Sequence, residues 1–114
     1  MSDDVLSIDT IAKLVQTIVD QKEGLSPEVL MEWYQIIQEE YQKIAPEELK
    51  DKFTVIQDPI LPMKFKVDIS KRAISYLIKA IEDNLPKMPI ATKIYFMKVE
   101  DNVQESYKRE SMKS

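Results

Sequence analysis

The 114-residue sequence predicts an all-α fold, a small bundle of four to five helices with an irregular or hairpin-like crossing at about 54–67. Three observations lead there. Apolar side chains recur at steps of three and four over most of the chain, the spacing of one helix face. Helix formers dominate, and glycine, which weakens helix interiors, occurs once. Prolines fall at the joints between apolar stripes, as in Ser26-Pro27, Ala45-Pro46 and Leu85-Pro86, where they start or stop helices.

Ser7 or Asp9 is placed to cap a first helix, whose stripe is Ile8, Ile11, Leu14, Val15, Ile18 and Val19. Gly24 stands where a left-handed C-terminal cap is wanted. Ser26-Pro27-Glu28 opens a second helix over about 27–44 with a capping side chain, a proline in the first turn and an acid at the positive helix end. A turn this short should set the two helices antiparallel. The second helix has two apolar stripes: Leu30, Tyr34, Ile37, Tyr41 and Ile44, and beside it Val29, Trp33 and Ile36. Such a helix is either central to the core or shared between the core and a partner. Ala45-Pro46 stops it, and Pro46-Glu47-Glu48 starts a short helix to about Phe53.

The period then changes. Thr54-Val55-Ile56-Gln57 and Met63-Lys64-Phe65-Lys66-Val67 flank a proline segment, and the second run alternates apolar and basic residues. A small hairpin and an extended loop pinned by two prolines both fit, because an isolated hairpin is marginal without a packed face. Asp68 or Ser70 can cap a fourth helix of about 69–85 with Ile74, Leu77, Ile78, Ile81 and Leu85 on its stripe. A fifth, after Pro86 and Pro89, follows Ile90, Ile94 and Met97 toward Asp101 or Val103. Apolar content falls near its end. The chain therefore reads as a single helical domain over 1–98 with a polar helical extension or frayed tail over 99–114.

Composition narrows function. With no histidine and no cysteine, the usual acid–base and nucleophilic groups and the favoured zinc ligands are missing, and one glycine cannot build a phosphate loop. No catalytic residue, cofactor site or metal site is expected. The adjacent acids Glu39–Glu40, Glu47–Glu48, Glu82–Asp83 and Glu100–Asp101 point to different helix faces and read as solvated surface. Apolar runs such as Ile94–Met97 are too short to span a bilayer, and Met1-Ser2-Asp3-Asp4 is acidic where a secretion signal is basic. A cytoplasmic protein with no membrane partner and no disulfide is the expectation.

What remains by elimination is a non-enzymatic protein-interaction module: a small subunit, adaptor or regulator acting through a helical surface on another protein or a second copy of itself. Trp33, Tyr34, Ile37 and Tyr41 are the candidate contacts, with Ile60 and Leu61 on the proline loop, since aromatic and large apolar residues dominate binding hot spots. The alternative is an accessory nucleic-acid-binding protein. Residues 1–62 carry a balance of −8 and residues 63–114 a balance of +4. Lys64, Lys66, Lys71, Arg72, Lys79 and Lys93 would meet phosphates, with Phe65, Tyr76 and Tyr95 interleaved for stacking.

Overall fold

The computed structural model describes residues 5–11, 26–61 and 64–113, and it is not all-α. Strands β1 (Val5–Ile11), β2 (Phe53–Gln57) and β3 (Lys64–Ser70) form an antiparallel sheet in the order β1-β3-β2. Helices α1 (Pro27–Ile44), α2 (Ile74–Asn84) and α3 (Ile90–Lys113) pack on it, making a mixed α/β domain. Single 3₁₀ turns lie at Glu47–Leu49, Lys71–Ala73 and Leu85–Lys87.

The expected four-to-five-helix bundle fails first at its first helix. Leu6-Ser7-Ile8-Asp9 alternates apolar and polar, and in β1 Leu6 and Ile8 turn into the core while Val5, Ser7 and Asp9 face out. Ile8 and Ile11 also fit a helical step, so the local pattern is ambiguous; the partner strand decides it. Leu6 sits opposite Ile69 and Ile8 opposite Val67 on β3, far along the chain. Ser7 is no helix cap: its Oγ donates to Asp68 Oδ1 at 2.7 Å across the strands. Leu14, Val15, Ile18, Val19 and the cap at Gly24 lie outside the described residues.

The crossing is a true hairpin. Phe53 faces Ile69, Val55 faces Val67 and Gln57 faces Phe65. Ser70 N donates to Lys52 O at 3.1 Å at one end, and Asp58 N to Lys64 O at 2.9 Å at the other. Two strands alone would be marginal, but β3 is central and its inner face, with Phe65, Val67 and Ile69, is fully buried. The fourth helix starts later than expected because Ile69 and Ser70 belong to this strand. Ser70 Oγ then accepts from Arg72 N at 3.3 Å and turns the chain into α2.

α1 keeps its expected bounds. Ser26 Oγ accepts from Val29 N at 3.2 Å, and Ala45, held extended ahead of Pro46, ends the helix. Its first stripe of Leu30, Tyr34, Ile37 and Tyr41 is buried, and Trp33 packs against the same core from its edge. α3 is phased differently from the expected stripe. Ala91, Tyr95, Phe96, Val99 and Val103 are buried, whereas Ile90 is 71% exposed and Met97 is exposed as well. Two stripes compete on this helix, and the one carrying the larger aromatic area takes the core. α3 continues without a break past Lys98.

At the centre stands Tyr34, its ring 5.0 Å from Phe65, 4.8 Å from Phe96 and 6.1 Å from Tyr95. Tyr34 and Tyr95 share a hydroxyl–hydroxyl hydrogen bond of 2.8 Å. The Tyr41 hydroxyl donates to the Leu49 carbonyl, fastening the 3₁₀ turn after α1. Burial, assisted by the Asp51 charge, pushes that phenol up to about 12.

Candidate interaction surfaces

Of the six expected contact residues, the structure divides four from two. Tyr34, Ile37 and Tyr41 are core residues with almost no accessible surface, and Trp33 is half-buried against the core. The first three are enclosed in the domain's own core, where they pack the fold and offer almost no surface to a partner. The sheet is the reason. Phe65 of β3 packs on Tyr34 and Phe53 of β2 on Tyr41, and Phe96 of α3 closes over Tyr34 beside them.

Ile60 and Leu61 are on the surface, 82% and 53% exposed at the tip of the β2–β3 hairpin. Ile56 on β2 joins them at 55%. The tip is built by Asp58. Its Oδ1 accepts from Ile60 N at 2.8 Å and Leu61 N at 2.9 Å, and its Oδ2 lies 4.0 Å from Lys64 Nζ. Lys64 N closes the turn on Leu61 O at 2.9 Å. These backbone amides, that of Leu61 foremost, hold the Asp58 carboxyl below its usual range, with Lys64 adding to the effect. Ile56 was not among the expected contacts. Its signal is the adjacent pair Val55-Ile56, because neighbouring residues of a strand face opposite sides and one of the two must leave the core.

The six basic residues of the nucleic-acid alternative separate. Lys66 is exposed on the outer sheet face, opposite Asp9 in the register, and Lys64 belongs to the hairpin tip. Lys93 is half-buried in the first turn of α3, bonded through its amide to Pro89 O at 2.8 Å. Lys71, Arg72 and Lys79 do come together, around a cleft of about 650 Å³ between the start of α2 and the later turns of α3. Among the aromatics expected to stack, Phe65 and Tyr95 are fully buried. The ring that reaches the cleft is Tyr107, 42% exposed, which continues the Tyr95–Val99–Val103 stripe by one more turn.

Ion pairs at the cleft are solvent-facing. Arg72 Nη2 lies 3.7 Å from Glu48 Oε2, and Lys79 Nζ lies 3.5 Å from Asp83 Oδ2 one turn on. Pairs this exposed are weakly held. Glu82, on the cleft wall, also meets Glu100 of α3. Burial chiefly, then the hydrogen bond to Glu82 and the charges of Glu82 and Asp101, push the Glu100 carboxyl up to about 7.

No family model, curated protein or solved structure matches the chain. Among the described residues no helix is long and apolar enough to cross a membrane. Nor do the described residues contain a group of three or more Asp or Glu side chains placed to hold a metal ion.

Proposed function

We propose that this chain is a non-enzymatic, cytoplasmic protein-interaction module, a small subunit or adaptor that engages another protein or a second copy of itself through the tip of its β2–β3 hairpin. The observation that carries the reading is the pair Ile60 and Leu61, apolar, adjacent and exposed on a turn that Asp58 holds in place. Exposed apolar side chains on a loop with no internal order would lose conformational freedom on binding. Here that loss is already made in the free protein, which favours association. Ile56 extends the apolar surface onto the β2 edge, where strand-to-strand recognition also operates. The absence of histidine and cysteine supports the non-enzymatic part.

The test is association itself. Solution mass by sedimentation separates a second copy from a different partner, and capture from the native cell supplies the partner if it is different. Ile60→Asp with Leu61→Asp should abolish whichever association is found while the circular dichroism spectrum stays unchanged. Ile90→Asp, on the exposed side of α3, should leave it intact. Loss with Ile90→Asp and retention with the hairpin variant would move the contact to α3 and refute the hairpin reading.

A further inference from the structure

We propose that the cleft between α2 and α3 docks a short acidic, amphipathic segment of a partner protein, a second surface separate from the hairpin tip and different in chemistry. Its rim carries Lys71, Arg72 and Lys79, while its floor includes Ile78 and the ring of Tyr107. A basic rim around an apolar floor is complementary to a peptide that places leucine-like side chains on one face and carboxylates on its flanks. Glu48 and Asp83 already show what the rim accepts, because each is a carboxylate paired with a rim cation. Both pairs are exposed, so an incoming carboxylate replaces one like itself at little cost. Of the charged side chains that line the cleft, Lys71, Arg72 and Lys79 are basic and Glu82 is acidic, in a molecule that carries −4 overall.

Size and shape favour a peptide over a nucleic acid. A cleft of about 650 Å³ takes a few side chains. A phosphate backbone needs a continuing basic track, and Lys64, Lys66 and Lys93 lie away from this cleft, on the hairpin, the outer sheet face and the first turn of α3. The Glu82 carboxylate on the cleft wall repels a phosphate run, whereas a peptide can set an uncharged residue against it.

The probe is a fluorescein-labelled synthetic peptide with leucines along one helical face and glutamates beside them, titrated by anisotropy against the whole chain. Saturable binding is expected, weakened about tenfold or more by Lys71→Glu with Lys79→Glu, by Tyr107→Ala, or by replacing the peptide glutamates with glutamine. In the unmodified protein, peptide addition should shift the backbone amide signals of Ser75, Ile78 and Tyr107, which keeps the test independent of how the variants fold. Ile60→Asp with Leu61→Asp should leave peptide binding unchanged, so this proposal and the hairpin reading fail separately. Absence of saturable binding, indifference to the charge changes, loss with the hairpin variant, or tighter binding of a single-stranded oligonucleotide at the same amides would each overturn it.

Discussion

Single side chains in this domain are fixed by where their polar ends go. Tyr34 and Tyr95 bury their rings edge to face, and each hydroxyl finds the other at 2.8 Å, so two polar groups enter the core without isolation from hydrogen bonding. Tyr34→Phe and Tyr95→Phe are each expected to cost about 1–3 kcal/mol in urea unfolding. The double variant should cost less than the sum of the two by at least about 0.5 kcal/mol, the signature of residues that touch. Simple additivity would show that the two hydroxyls do not interact. Of the expected contacts, Ile60 and Leu61 were legible as surface residues from the sequence itself, because Asp58-Pro59-Ile60-Leu61-Pro62 puts apolar side chains inside a turn signal. For Tyr34, Ile37 and Tyr41 the sequence left burial in the core and contact with a partner both open. Periodicity tells which residues share a face and is silent on how many faces have a neighbour.

Between elements, a pH dependence of stability is expected at the α2–α3 seam from Glu100, which faces Glu82. Glu100 holds its proton more tightly in the folded chain, where its pKa is about 7 against an ordinary 4.5. The folded state therefore binds more protons than the unfolded state between those two values. Stability from this pair is fully present below 4.5, declines as pH rises toward 7 and is lost above it, where two carboxylates face each other with Asp101 nearby. Glu100→Gln should flatten this part of the melting-temperature profile and raise the Tm at pH 8, since the amide can still donate to Glu82. An unchanged slope in the variant would remove Glu100 as its source. The elements themselves were unequally legible. α1 could be read from end to end, because Ser26-Pro27 opens it and Ala45-Pro46 closes it through strictly local sterics. α3 was legible as a helix but not in its rotation, since Ile90, Ile94 and Met97 make as good a stripe as Tyr95, Val99 and Val103 until the aromatic core is present to choose.

At the scale of the molecule, β3 joins everything: it pairs with β1 on one side and β2 on the other, and its inner face meets the helices. Its amides, bonded to neighbours on both sides, should as a set be the slowest of the three strands to exchange hydrogen for deuterium. Faster exchange of β3 than of β1 and β2 would contradict the strand order. The sequence by itself determined the apolar and polar alternation of β3, the bounds of α1, the stripe of α2 and the prolines that separate elements, all of which act within one or two turns of chain. Only the tertiary structure decided that Val5–Ile11 is a strand, that the 54–67 crossing is a hairpin and that the domain is mixed α/β. A strand is completed by hydrogen bonds from its partner, and the partner of Ile8 is Val67, a residue no local window around Ile8 contains.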